Sequence, residues 1–376
     1  MEIKGKYNTI KVFNDTVEYD EFEQMKSIAN CPAFRDSDIK VMPDHHCGSS
    51  CIVGYTQTVS DKVIPNLVGS DISCGMSYTK IPALDLATLD KVINTFVPSG
   101  AAIHNAQTVN TKLKRNVDDM IRKLKCELSD YAISKALNSI GTLGGGNHFI
   151  EVDRSEETGD WYLVVHSGSR NLGLQVCKYW QNRAVQKRFE AEDKTDLPKE
   201  FAYLEGEDML GYLHDINVVD GYAALNRRTM IETILAKMGV SLHKLKVSTT
   251  KHNYIDQEHK MLRKGAIAAY ADEEVLIPFN MRDGAVLATG KGNADWNYSA
   301  PHGCGRLMSR GDAKSLISMD EYVKSMEGIY TTSINESTLD ESPMVYKDAK
   351  EIERLIADTV EVREHLRPLY NFKASG

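Results

Sequence analysis

The chain has 376 residues, 42% of them hydrophobic and 26% charged, with a net charge of −8. The length fits one large mixed fold or two domains, and the acidic balance argues against broad nonspecific binding to nucleic acid while leaving room for a local basic groove. No run of eighteen apolar residues predicts a membrane span, MEIKGKYNTIKVF lacks a signal peptide's apolar stretch, and seven irregularly spaced cysteines argue against a disulfide framework, so a cytoplasmic protein is expected.

The first eighty residues read as short strands and loops, with NTIKVF, CIVGYTQTV and MSYTKI rich in β-branched and aromatic residues. From Leu84 the period turns helical: LATLDKVINTFV, then NVDDMIRKLKCELSDYAISKAL as one helix. WYLVVHSGSR reads as a buried strand running into a loop. Two further helices follow in LGLQVCKYWQNRAVQKRF and MLGYLHDINVVDGYAALNRRTMIETILAKM. Strands return at VLIPF and AVLAT, and AKEIERLIADTVEVREHL is expected to close the chain as a helix. The basic clusters at 112–125 and 226–230 (NRRTM) read as solvated helix faces. With no repeat, linker or low-complexity segment, the expectation is one intertwined α+β domain over 1–376. It has a central β core, peripheral helices and a helical insertion at about 170–250.

Five segments place metal-type side chains in glycine-rich loops or at strand ends: VMPDHHCGSS, VGSDISCGM, GTLGGGNHFIEV, VVHSGSR and STTKHNY. They carry Asp71, Cys74, His148, His166 and His252, the last at an expected strand-to-helix junction. Loops on a rigid scaffold are where functional residues concentrate. One carboxylate, one thiolate and three imidazoles suffice for two transition-metal ions if one ligand bridges, and the donor mixture suits Mn, Zn, Fe or Co. No C-x₂-C pair occurs, which favours a catalytic over a structural site.

A second theme is phosphate. The glycines before Asn147 free backbone N–H groups for an anion. HSGSR and HGCGR each place an arginine, Arg170 and Arg306, four residues after a histidine, suited to clamping phosphates. In SAPHGCGR, His302 stands between a proline and a glycine, open to close approach. An imidazole there is a competent nucleophile toward phosphorus. No Walker A motif is present.

Nearly end to end, the motifs MPDHHCG, GSDISCGM, GTLGGGNHFIEV, HSGSRNLG, KHNY, RKGAIAA, SAPHGCGR, YKD and PLYNFK resemble the RtcB family of RNA ligases. The resemblance implies an enzyme that joins RNA 3′-phosphate or 2′,3′-cyclic phosphate ends to 5′-hydroxyl ends with GTP and manganese. The RNA would be broken transfer or ribosomal RNA, in splicing or repair, and an activating protein is a possible partner that the sequence does not require. It further implies that Cys74 bridges two manganese ions, with Asp71 and His148 completing one site and His166 and His252 the other. His302 would accept GMP, Asn147 would contact the nucleotide's phosphate, and Glu151, Tyr346 and Lys373 would recognise guanine. Arg170 and Arg306 would hold phosphates, and Asp44 belongs to the first loop of the site.

Three segments depart from the family pattern. PDHHCG stands where PDVHWG is usual, so His46 aligns and His45 is extra. IPFNMRDGAVLAT alters a nucleotide-pocket segment, and Cys304 replaces an alanine beside His302, where it reads as a packing residue. Two alternatives compete: a metal-dependent phosphoesterase, which needs the metal ligands but not His302, and a noncatalytic RNA-end-binding protein, which would have lost a ligand or the nucleophile. His104, His214, His243, His259 and His365 are assigned to structure or surface.

Overall fold

The computed structural model describes residues 1–105, 107–191 and 197–374. The protein has an α+β fold built on two large sheets. A six-stranded sheet runs in the order Glu2–Lys4, Thr9–Val12, Ile39–His46, Val53–Thr58, Met261–Lys264, Asn253–Asp256. It is antiparallel except where Thr9–Val12 lies parallel to Ile39–His46. A seven-stranded antiparallel sheet runs Ser248–Lys251, Gly75–Ile81, Trp161–Ser167, Phe149–Ser155, Val360–Lys373, Gly284–Gly290, Glu274–Asn280.

Two long helices, Arg170–Glu190 and Gly206–Lys237, occupy the expected insertion. The second lays Met230, Ile231, Ile234 and Leu235 against Ile150, Leu163 and Val165 of the seven-stranded sheet. Each such side chain contributes about 1.5–3 kcal/mol by leaving water. No helix among the described residues is long and apolar enough to cross a membrane.

Five local expectations need correction. A helix, Tyr19–Ala29, interrupts the early strands; its capping box at Glu18 and Glu21 is a start signal without the usual Ser or Thr. The single helix expected over 116–137 is two, Thr111–Ile121 and Asp130–Ser139. Between them the buried Asp215 accepts from the amides of Lys125 at 2.6 Å and Cys126 at 2.9 Å, and Ser129 caps the restart. The closing helix covers only Ala349–Ile356; the chain then becomes the strand Val360–Lys373, because it is paired on both sides at the middle of the sheet. Partners on both edges override a local helical pattern. His252 joins two strands, Ser248–Lys251 of one sheet and Asn253–Asp256 of the other, rather than a strand and a helix. In NRRTM, Arg228 is solvated and pairs with Glu232, whereas Arg227 is fully buried.

Candidate active site

Adjacent strands of the seven-stranded sheet deliver the metal-type side chains to one end. Cys74 precedes Gly75, which pairs with both Ser167 and Lys251; His252 follows Lys251. His166 lies opposite Met76 and Phe149, and His148 precedes Phe149. Cys74 Sγ is 3.4 Å from His148 Nε2 and 3.2 Å from His166 Nε2, and Asp71 Oδ2 is 3.0 Å from His148 Nε2. The ligand atoms of Cys74, His148 and His166 lie within 4.8 Å of one another, all buried. The His252 ring centre is 5.2 Å from that of His166 and 4.8 Å from that of His302.

The rings are fixed from behind. A carbonyl only accepts, so His148 Nδ1 donates to Leu143 O at 2.9 Å and His166 Nδ1 to Asn147 O at 3.0 Å. Each ring therefore turns Nε2 toward Cys74, the outer-shell arrangement that orients metal ligands. Burial, reinforced by neighbouring cations, drives His166 and His252 well below the usual imidazole range, so both are neutral, the form that ligates. Burial and then Asp71 push the Cys74 thiol up; a thiol so placed ionises when it takes a metal. Burial opposes charge on Asp71, but its bonds with His148 and Cys74 outweigh that and hold the carboxyl well below the usual range. His252 Nδ1 is buried without a hydrogen-bond partner among the described residues, a nitrogen open to a cation. This donor set fits a borderline-soft transition metal.

Two glycines of the motifs answer to close approach. A Cβ at Gly168 would stand 2.1 Å from Asp71 Oδ1, and one at Gly144, where φ is +90°, would stand 1.5 Å from Arg170 Nη1. Arg170 lies outside the main cavity, near Asp71, with Nε donating to Thr142 Oγ1 and Nη2 to Gly100 O, each at 3.3 Å.

His302 follows the short strand Ser299–Pro301, and Asp44 comes from Ile39–His46. The Asp44 carboxylate is fully buried and accepts from the His302 amide at 3.2 Å and from Nδ1 at 2.7 Å. That bond fixes the proton on Nδ1 and leaves the lone pair on Nε2. Lys347 Nζ donates to Pro43 O at 3.1 Å and His45 O at 2.8 Å, tying the backbone on both sides of Asp44.

Beside His302 opens a cavity of about 950 Å³ that reaches Asn147, Glu151, Arg306, Tyr346 and Lys373. Its size suits a nucleotide. Burial pushes the Glu151 carboxyl up, as it does that of Asp153 beside it, and Asn371 Nδ2 donates to Glu151. The wall turns on Glu341, a residue that sequence reasoning missed. This buried carboxylate takes Tyr346 Oη at 2.6 Å, Lys373 Nζ at 2.8 Å, Arg310 Nη1 at 2.6 Å and Arg306 Nη1 at 3.4 Å. Arg306 also donates to Asp340 O at 2.7 Å, so part of its fork braces the wall. Lys373 Nζ reaches Asn147 O at 3.0 Å, the same carbonyl that orients His166. Glu341 sits in NESTLDES, which has no glycine, histidine or cysteine to mark it; Lys347 lies in the motif YKD but was given no role of its own.

Burial alone would raise Glu341, but Lys373 and Arg310 hold it down to about 2. A carboxyl depressed from 4.5 stabilises the fold above that value and loses its contribution as pH falls from about 4.5 toward 2. Glu341→Gln leaves the buried Lys373 ammonium without its carboxylate and costs about 3–5 kcal/mol near neutral pH. Urea unfolding of both proteins checks this: the difference narrows below pH 4.5, and a difference constant down to pH 2 contradicts it.

The sequence profile of one family, described as tRNA-splicing ligase RtcB, matches residues 24–374. The RNA-splicing ligase RtcB of Escherichia coli (strain K12) is 31% identical, with 93% of each chain covered. The tRNA-splicing ligase RtcB of Methanococcus maripaludis is 24% identical over 96% of this chain and 92% of its own. The tRNA-splicing ligase RtcB of Nanoarchaeum equitans is 26% identical over 84% and 83%.

Proposed function

The chain belongs to the RtcB family, and from that premise we propose that it joins RNA 3′-phosphate or 2′,3′-cyclic phosphate ends to 5′-hydroxyl ends, using GTP and manganese. One observation carries the reading: His302 has its Nδ1 locked on a buried aspartate at 2.7 Å, and it lines a nucleotide-sized cavity beside the Cys–His cluster. A metal phosphoesterase has no use for such a histidine.

In this reading His302 Nε2 attacks the α-phosphorus of GTP, forming the N–P bond of a histidine–GMP adduct as pyrophosphate leaves. An oxygen of the RNA 3′-phosphate then takes the GMP, which restores the free imidazole and leaves a pyrophosphate-linked, activated end. The 5′-hydroxyl of the second strand attacks the RNA phosphorus of that linkage, and GMP departs. Asp44 selects the tautomer that carries its proton on Nδ1 and presents Nε2 for the first step, and it stabilises the ring's charge once Nε2 is bonded to phosphorus. A cyclic phosphate end is first opened by hydrolysis.

Within the cavity, Asn147 contacts the nucleotide's phosphate. Glu151 accepts from guanine, Tyr346 stacks on it, and Lys373 donates to it. Arg170 and Arg306 engage RNA or nucleotide phosphates with the N–H groups their structural bonds leave over. Two manganese ions sharing Cys74, one held by Asp71 and His148 and the other by His166 and His252, would neutralise charge on the triphosphate and on the leaving pyrophosphate. The relatives named as RNA-splicing and tRNA-splicing ligases support transfer RNA in splicing as the substrate.

The test is a joining assay. One RNA with a 3′-phosphate and one with a 5′-hydroxyl, supplied with Mn²⁺ and either GTP or ATP, are expected to give a joined product with GTP alone. Loss of the 3′-phosphate without joining contradicts the reading and turns it to the phosphoesterase.

A further inference from the structure

Arg227, on the helix Gly206–Lys237, is fully buried. Its Nη1 donates to Ser73 O at 2.8 Å and to Ser167 O at 2.9 Å, and its Nε donates to Ser77 Oγ at 2.9 Å. Ser73 immediately precedes Cys74 and Ser167 immediately follows His166 at the end of its strand, so one nitrogen bridges the two segments whose side chains meet at 3.2 Å. Ser73 also has a left-handed backbone, φ +57°, unusual for a residue with a side chain. Such a conformation persists only where surrounding bonds over-determine it, and the Arg227 bond to its carbonyl is one of these.

The charge balance points the same way. All three bonds go to neutral acceptors, and Nη2 is buried with no hydrogen-bond partner among the described residues. A buried guanidinium is costly unless negative charge lies near it. Burial disfavours its charge, and the anionic groups that oppose this are Cys74, Asp220 and Asp71. A thiolate and a carboxylate gathered at one metal site carry negative charge that a buried cation offsets, so each supplies what the other lacks.

We propose that Arg227 is a positioning residue of the metal centre, holding the segments of Cys74 and His166 in register and placing a fixed positive charge behind the anionic ligands. The inference rests on the reading of that cluster as a metal site.

The experiment titrates Mn²⁺ alone into wild type, Arg227→Lys, Arg227→Met and Ser77→Ala, following free Mn²⁺ by electron paramagnetic resonance, with a melting curve for each. Lysine keeps the charge but offers one nitrogen where the guanidinium sets Nε on Ser77 Oγ and Nη1 on the two carbonyls. Arg227→Lys is expected to bind Mn²⁺ about 10-fold more weakly and Arg227→Met about 100-fold, the range lost when outer-shell partners of metal ligands are removed. Ser77→Ala, which deletes one anchor only, is expected to lose a few-fold and carries the test if the arginine variants do not fold. Folded variants that melt lower yet bind Mn²⁺ as tightly as wild type would show a merely structural arginine and overturn the inference. Wild type that binds no Mn²⁺ overturns the metal reading itself, a result distinct from the first because it appears before any variant is compared.

Discussion

Asp44→Asn is expected to leave the fold intact and to slow transfer of GMP onto His302 by about 10²–10⁴-fold. The native carboxylate can only accept, so it holds the imidazole proton on Nδ1 at 2.7 Å. An asparagine can turn its amide N–H₂ toward Nδ1, which then accepts, and the ring proton moves to Nε2. The nitrogen that has to attack phosphorus then has no lone pair to offer. The amide also loses the charge that stabilises the ring once Nε2 is bonded. Lys347 continues to pin Pro43 O and His45 O, so the backbone around position 44 stays in place. Single-turnover labelling with GTP radiolabelled at the α-phosphate measures the rate. A rate within a few-fold of wild type would mean that the Asp44–His302 pair is structural.

Cys74→Ala is expected to weaken Mn²⁺ binding by more than about 100-fold, since removing a ligand costs more than the 10–100-fold of an outer-shell partner. Cys74 Sγ is the atom that both His148 Nε2 and His166 Nε2 face, at 3.4 and 3.2 Å. Without it the two imidazoles lose their shared partner and the cluster its only thiol donor. Mn²⁺ titration and metal analysis of dialysed protein check the effect. Joining activity is expected to fall with it. Undiminished Mn²⁺ binding in the alanine variant would place the metal elsewhere.

What was legible in the sequence was whatever local chemistry made conspicuous. Asp71, Cys74, His148, His166, His252 and His302 stand in glycine-rich or strand-end contexts, and the fold brings them to one end of one sheet. The long helices of the insertion and the strand Trp161–Ser167 were equally plain, because their apolar patterns are long. The strand Val360–Lys373 was missed because its helix-like pattern yields to partners more than sixty residues away in the chain, a tertiary effect that no local window contains. The break at 122–129 depends on Asp215, about ninety residues onward. Glu341 and Arg227 were missed for the converse reason. Each looks like an ordinary surface charge in its own segment and acquires a role only through groups from other segments: Lys373, Tyr346 and Arg310 for one, the carbonyls of Ser73 and Ser167 for the other.

The measurement that bears most directly on the function is a labelling of His302. Protein is incubated with Mn²⁺ and GTP radiolabelled at the α-phosphate, denatured, and run on a gel beside His302→Ala. The account predicts a label on wild type that survives denaturation, is released by mild acid as a phosphoramidate should be, and is absent from His302→Ala. No label on wild type, or a label that persists in His302→Ala, would contradict it.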